Sequence, residues 1–167
     1  QIKMAWGILK TVSGDGSTTL DTGTLTVRKK YKVIAYLKDS GSGGNLAQLR
    51  FDDNSGNNYS THASRDGGSD TGWNNINRFI SYHSSTLLSD YLVFEITNVA
   101  SQPKLVIGHN VGVTATGAGT APARQEWVGR YKNEGNSNAQ ISSIKLYSNG
   151  SGFTSDSYIT VLGAKEP

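Results

Sequence analysis

The sequence predicts an all-β fold, a two-sheet antiparallel sandwich that is jelly-roll-like and has about nine or ten strands. Short runs of β-branched, aliphatic and aromatic residues recur along the chain, and each has the length of one strand. Clusters of Gly, Ser, Asn and Asp separate these runs, which is typical of turns between strands. No long segment has the apolar spacing of an amphipathic helix. The clearest strand-like runs are 31–37, 91–96, 104–107 and 158–162.

The candidate strands follow one another at the even spacing that favours a two-sheet sandwich. Residues 91–96 are almost continuously apolar, so we expect this strand at the centre of a sheet. The polar stretch 64–74 is predicted to be the longest polar loop, and the small residues of 114–123 predict another loop. The nine or ten expected strands are drawn from 5–12, 23–28, 31–38, 47–52, 58–63, 76–83, 91–99, 104–113, 126–131, 141–147 and 157–163.

Residues 1–167 are predicted to form a single β-sandwich domain. A chain of this length can bury about two-thirds of its unfolded surface in one core. Neither a shift in composition nor a repeat of fixed period marks a second domain. Only 35% of the residues are hydrophobic and 17% are charged. Both fractions are low because Gly, Ser, Thr and Asn are abundant, and the frequent apolar runs argue against disorder.

Composition argues against three kinds of partner or scaffold. The net charge of +3 is too small to indicate nucleic-acid binding, and the basic cluster 28–32 is short enough to be a lysine-rich turn or sheet edge. No apolar run approaches the roughly 18 residues of a membrane-spanning helix. The chain has no cysteine, which excludes disulfides and cysteine-based metal sites.

The sequence predicts no metal site and no cofactor. His62, His83 and His109 fall on three different predicted strands, without the spacing that places two ligands on one element. The segments 52–58 and 66–70 are rich in oxygen-bearing side chains but lack the residue pattern of a calcium loop. Both are better interpreted as turns.

The sequence contains no recognisable catalytic set, and we predict that the protein is not an enzyme. Ser101 and Lys104 match an S-x-x-K motif formally, but Pro103 denies them the helix on which that motif depends. Residues 117–122 begin like a phosphate loop and then lack the glycine and the helix that it needs. A hydrolase with two facing carboxylates from separate strands is the open alternative.

Trp73 is the best candidate for a ligand-binding residue. It lies in the polar segment 64–74 among Asp and Asn residues, a setting that suits stacking on a sugar. Its predicted companions in a carbohydrate site are Tyr59, Tyr82, Asp66 and Asp70. The alternative is that Trp73 closes the end of the sandwich as a core residue. Trp6 and Trp127 lie in strand-like runs and are expected in the core or in an interface.

Several segments resemble a group of tailed-phage structural proteins that are frequent in marine viral and prophage sequences. The strongest likeness runs from the small-residue loop at Gly117 through Arg124-Gln125-Glu126-Trp127-Val128-Gly129 to Asn133. The closing segment 153–163 and the segments 49–60 and 66–71 are also similar to that group. The resemblance covers residues 46–163, with Ser155-Asp156-Ser157 standing where the group has a glycine-serine turn.

This resemblance implies a non-enzymatic virion structural protein, either a capsid decoration protein or a tail or fibre component. Its expected location is the virion, and its expected partners are other virion proteins and further copies of itself. A symmetric homo-oligomer is expected, and a trimer is the form that the class suggests. The alternative function is a carbohydrate-binding module or receptor-binding tip that uses Trp73 to bind a cell-surface glycan. Neither function involves nucleic acid or a membrane.

Overall fold

In a computed structural model, the described residues are 5–41, 48–80, 88–132 and 138–164. Within these ranges the chain forms twelve strands and no helix, and hence none that could cross a membrane. The strands are β1 (Trp6–Ser13), β2 (Thr19–Asp21), β3 (Lys30–Lys38), β4 (Gln48–Phe51), β5 (Tyr59–Arg65), β6 (Thr71–Ile76), β7 (Phe79–Ile80), β8 (Ser89–Thr97), β9 (Lys104–Val113), β10 (Ala123–Tyr131), β11 (Ile144–Tyr147) and β12 (Tyr158–Ala164).

The strands form two antiparallel sheets in a sandwich-like arrangement, which confirms the predicted fold class. The larger sheet has eight strands in the order β1-β12-β3-β8-β9-β10-β5-β6, and the smaller has four in the order β2-β11-β4-β7. The chain passes repeatedly from one sheet to the other, as in jelly-roll-like sandwiches. There are twelve strands in the described ranges instead of nine or ten, because β2 lies where the sequence predicts no strand and β6 lies mostly in the predicted loop 64–74.

The predicted strand at 23–28 is wrong, because the strand of this region is β2 and lies before it. The Asp21 carboxylate accepts a hydrogen bond of 2.9 Å from the Gly23 N–H, and Gly23 has a φ of 58°. A left-handed residue of this kind ends a strand, and glycine adopts it without steric cost. Beyond the turn Leu25 is buried and its N–H donates to the Ser142 carbonyl at 2.7 Å.

The predicted loop at 64–74 is shorter than the sequence suggests. β5 continues to Arg65 and β6 begins at Thr71. Asp66 and Gly67, with φ values of 51° and 75°, turn the chain between the two strands. The other predicted strands overlap the observed ones, except that residue 47 and residues 81–83 lie outside the described ranges.

Side chains on the central strands of the large sheet alternate between buried and exposed. In β9, Lys104, Val106, Gly108 and Asn110 are buried, whereas the residues between them are exposed. β8 and β10 follow the same pattern in register with β9. Successive side chains of a strand point to opposite faces of the sheet. The large sheet therefore has an inner face toward the small sheet and an outer face on the surface.

Aromatic rings fill the space between the two sheets. Phe79 of the small sheet lies 5.0 Å from Tyr59 and 6.1 Å from Trp127, measured between ring centroids. A Cβ atom added at Gly129 would lie 2.7 Å from the Phe79 Cδ1 atom, so glycine is what lets this ring approach the large sheet. Phe51 and Tyr131 complete a cluster in which most pairs are tilted or edge-to-face, a favourable ring geometry.

Buried polar side chains hold the loops at one end of the sandwich. The Lys104 ammonium donates to the carbonyls of Val99, Gln102 and Asn138 at 2.6 to 2.8 Å. Asn98 is also buried and exchanges hydrogen bonds with the Ile141 backbone. These bonds satisfy backbone groups that are removed from water. A buried backbone group without a hydrogen-bond partner would lower the stability of the fold.

Candidate functional site

The predicted carbohydrate-binding residues do not share one surface. Trp73 is half-buried and packs against the core, so its ring is not the exposed platform that the sequence predicts. This placement agrees with the alternative that Trp73 closes the sandwich. Tyr59 has no exposed surface, and its hydroxyl donates to the Asn54 carbonyl at 2.9 Å. Tyr82 lies outside the described residues.

The two predicted aspartates have different surroundings. The Asp66 carboxylate accepts a hydrogen bond from the Arg124 N–H at 2.8 Å and another from the Arg65 side chain at 3.2 Å. It therefore fixes the turn between β5 and β6. Asp70 lies beside the outer face of the large sheet, where it lines a shallow depression. Among the predicted site residues that the structure describes, Asp70 is the one that faces a candidate binding surface.

The most unusual surface of the described molecule is the outer face of the large sheet. Five aliphatic and aromatic side chains of β8, β9 and β10 lie there, each between 44% and 56% exposed. We call this set the outer patch; it comprises Tyr91, Leu105, Ile107, Val111 and Val128. Clustered exposed apolar side chains on a soluble domain mark interaction sites more often than isolated ones do.

Strand register arranges the outward-facing side chains of β8, β9, β10 and β5 in rows. We name each row after its β9 residue. The Ile107 row contains, in strand order, Glu95, Ile107, Val128 and His62. The His109 row contains Val93, His109, Glu126 and Ser64. The Leu105 row contains Leu105, Arg130 and Ser60, with Thr97 of β8 hydrogen-bonded to the Leu105 backbone. Charged and imidazole groups thus alternate with the apolar side chains of the patch.

Among the described residues, the two carboxylates of these rows have weak ion-pair partners. The Glu95 carboxylate lies 3.5 Å from the Lys32 ammonium, and Glu126 lies 3.9 Å from the Arg124 guanidinium. All four side chains are more than one-third exposed. Exposed pairs of this kind contribute about 0–1 kcal/mol because water and salt screen them. These charges therefore remain able to interact with a partner molecule.

Two adjoining depressions cross the outer face between β9 and β6, and together we call them the trough. One has a volume of about 270 Å³ and includes Asp70, His109 and Glu126 in its lining. The other has a volume of about 530 Å³ and includes Asn74, Leu105 and Arg130. His62 and Val128 line both. The trough combines an apolar floor with polar groups at its sides.

A buried polar chain lies on the inner face directly beneath this region. The Trp127 indole N–H donates to the Asn110 side-chain oxygen at 2.8 Å, and the Asn110 amide donates to the Asp90 carboxylate at 3.0 Å. Asp90 is only 1% exposed. Burial raises the pKa of its carboxyl from 3.8 to about 7, and the Asn110 hydrogen bond only partly opposes that shift. Asp90 is therefore a buried acid that is readily protonated.

The acidic turns do not form a metal site among the residues that the structure describes. No group of three His, Asp or Glu side chains there could hold a metal ion. Asp52 accepts hydrogen bonds from the Ser142 and Ser143 N–H groups at 2.8 and 2.9 Å. Asp53 lies 3.0 Å from the Lys145 ammonium. These carboxylates connect the β4–β5 turn to β11 and to the two residues before it.

Comparison with known proteins leaves the family of this chain open. No protein-family model matches the sequence, and no curated protein matches it either.

The sequence holds a signal for the outer patch. A half-buried strand alternates apolar and polar residues, but 91–96 and 104–107 are apolar at nearly every position. Such a strand is either covered on both faces within its own chain or carries an apolar surface on one. In the structure the second interpretation applies to the described residues, because Tyr91 on β8 and Ile107 on β9 are about half exposed. Sequence alone does not separate these interpretations.

Replacing Asp90 with asparagine should change how stability depends on pH. The folded protein holds the Asp90 proton more tightly than the unfolded chain does, because the folded pKa is raised. The wild type should therefore lose stability relative to Asp90→Asn as the pH rises from about 4 through about 7. The difference should be near zero at pH 4 and reach up to about 4 kcal/mol at pH 8, since each pKa unit corresponds to about 1.4 kcal/mol.

Urea unfolding of both proteins across this pH range measures the difference directly. Asparagine keeps the size of aspartate and can still accept the Asn110 hydrogen bond, so packing should change little. A difference in stability that stays constant from pH 4 to pH 8 would contradict a raised Asp90 pKa.

Proposed function

We propose that this chain is a non-enzymatic structural subunit that assembles into a symmetric oligomer through the outer face of its large sheet. The observation that carries the proposal is the outer patch at the centre of that face. The sequence resemblance of residues 46–163 to tailed-phage structural proteins gives the assembly its context. In that context the protein is a capsid decoration protein or a tail or fibre component, located in the virion and in contact with other virion proteins.

The energetics of burial support assembly through this patch. Fully burying a side chain such as valine or leucine contributes about 1.5–3 kcal/mol relative to leaving it exposed. The five patch side chains are about half exposed, so covering them is worth roughly 4–7 kcal/mol for each subunit. Two such surfaces in contact are worth twice that amount. This gain is of the size needed to offset the loss of translational and rotational freedom on association.

Closed symmetry is the usual outcome when one surface of a chain binds other copies of the same chain. A closed ring or pair satisfies every patch, whereas an open arrangement leaves one exposed at each end. The trimer suggested by the phage resemblance is one closed form, and a two-fold pair is another. The number of subunits is therefore part of what must be measured.

Replacing Ile107 with lysine should weaken self-association by at least about tenfold. The substitution places a charge at the centre of the patch, where assembly would remove it from water at considerable cost. Ile107 is 56% exposed and lies on a strand surface, so the monomer should still fold. Light scattering coupled to size-exclusion chromatography, over a series of protein concentrations, measures the change.

The matched control is Val27→Lys, which alters an exposed aliphatic residue that lies outside every strand. It should associate as the wild type does. A wild-type protein that stays monomeric up to high concentration and binds no capsid or tail component would contradict the proposed function. Equal association of both variants would exclude the patch as the contact.

Carbohydrate binding is the second candidate function. The trough is a better candidate site for it than the surface around Trp73. Asp70, His62 and Asn74 supply short polar groups beside the apolar side chains of Leu105 and Val128. Sugars bind to sites that combine an apolar surface with a few well-placed polar groups. A glycan bound here would place the protein at the receptor-binding tip of a particle.

Asp70→Ala should abolish glycan binding if the trough is a sugar site, because an aspartate can accept hydrogen bonds from two hydroxyl groups. A glycan array probed with the wild type, with Asp70→Ala and with Asp156→Ala measures this. Asp156 is an exposed aspartate that pairs with Lys38, so its variant is the control. Absence of binding by the wild type, or equal binding by all three proteins, would contradict this candidate.

A further inference from the structure

We propose that the outer patch binds a second copy of this chain, related by a two-fold axis that runs parallel to the strands between β9 and β10. This inference rests on the proposed assembly function and goes further by naming the partner surface and its symmetry. The side-chain rows on β8, β9, β10 and β5 support it. The patch lies on the first three of these strands, and β5 flanks it.

A two-fold axis parallel to the strands has a simple effect on two facing sheets. It keeps the position along the strand and exchanges the two sides of the sheet. β9 of one copy then faces β10 of the other, and β8 faces β5. Each row of side chains therefore faces the same row of the partner, read in the opposite direction. Stacked sheets pack about 10 Å apart, close enough for facing side chains to touch.

The Ile107 row becomes self-complementary under this operation. Ile107 faces the partner's Val128, so apolar side chains cover each other at the centre. Glu95 faces the partner's His62, which places a carboxylate opposite an imidazole. Because the axis acts on both copies, each of these contacts occurs twice.

The neighbouring rows agree with this arrangement. In the His109 row, His109 faces the partner's Glu126, again an imidazole opposite a carboxylate. In the Leu105 row, Leu105 faces the partner's Arg130, whose aliphatic stem can cover a leucine while its guanidinium stays in water. In these three rows on β8, β9, β10 and β5, no side chain faces a partner side chain of the same charge.

The alternative two-fold axis, which runs across the strands along the Ile107 row, is less favourable. It would place Glu95 opposite the partner's Glu95 and His62 opposite the partner's His62. Two facing carboxylates that are being removed from water repel each other strongly. The distribution of charge therefore selects the axis that is parallel to the strands.

The surface is large enough for a specific contact. A fourth row on this face contains Tyr91, Val111 and Arg124. Four strands spaced about 4.8 Å apart and these four rows spaced about 6.7 Å apart cover roughly 500 Å² in projection. The accessible area of a corrugated face exceeds its projection, so the contact approaches the roughly 800 Å² per partner of a standard interface.

Charge reversal at His62 and Glu95 tests the pairing. Within one chain these residues lie on β5 and β8, which are three strand spacings or about 14 Å apart. They are therefore too far apart to contact each other directly, and coupling between them reports on a contact between chains. Glu95→Lys alone should lose the contact with histidine. His62→Glu alone should place two carboxylates in opposition.

Each single variant should associate at least about tenfold more weakly than the wild type at low ionic strength. An equimolar mixture of Glu95→Lys and His62→Glu should recover association. In the mixed pair, one contact is the original one and the other joins the lysine of one variant to the glutamate of the other. Native mass spectrometry distinguishes the mixed pair from the two homodimers if one variant is isotopically labelled. Recovery also shows that both variants are folded.

Thr160→Lys provides the matched control, because it places a lysine on the same outer face at β12, away from the proposed contact. Mixing Thr160→Lys with His62→Glu should not restore the association of the His62→Glu subunits. Single variants that associate as the wild type does, or a mixture of Glu95→Lys and His62→Glu without recovery, would overturn the pairing. A wild-type trimer that Ile107→Lys dissociates would also overturn it, yet would leave the proposed function standing. A wild-type protein that stays monomeric and binds no capsid or tail component would contradict both.

Discussion

Strand alternation is the constraint on which the rest of this structure depends. Each strand of the large sheet that directs one set of side chains into the sandwich directs the next set outward. β8 and β9 contain apolar residues in both sets. The inner set packs on the aromatic cluster between the sheets, and the outer set lies on the surface of the described part of the chain. The same local geometry therefore produces the core and the candidate interaction surface.

The two faces of the large sheet use different chemistry to achieve specificity. On the inner face, rings fit against positions without side chains, as Phe79 does at Gly129, and a buried hydrogen-bond chain connects Trp127 to Asp90. On the outer face, imidazoles and carboxylates alternate with aliphatic side chains in register across the strands. In the proposed pair of copies, apolar contact would provide the free energy of association and the arrangement of charges would select one orientation of the partner.

The fold was largely predictable from the sequence, whereas the site was not. Runs such as 91–96 and the turn-forming clusters between runs are local signals, and they identify a two-sheet sandwich. The sequence does not predict β2, which is three residues long and pairs with the distant strand β11, or β6, which is polar and pairs with β5. The polar sequence neighbours of Trp73 predict a sugar platform, but on the edge strand β6 its ring packs against the core. Tyr59 is buried because it belongs to the inward-facing side chains of β5. Its polar neighbours in the sequence do not indicate this burial.

The outer patch shows why site prediction needs the register of the sheet. Glu95, Ile107, Val128 and His62 lie far apart in the sequence and form one row only when four strands are aligned. The row is complementary to the same row read in the opposite direction. The order of residues along the chain does not reveal this complementarity.

The most direct test of the account is the accessibility of the patch in solution. Because the chain has no cysteine, a single Ile107→Cys substitution provides a unique thiol at the centre of the patch. Its labelling rate with a maleimide should fall as the protein concentration rises into the range where assembly occurs, while a Thr160→Cys thiol on β12 should react at a constant rate. Equal labelling of both thiols at every concentration would contradict the claim that this face is covered by another molecule of the same protein.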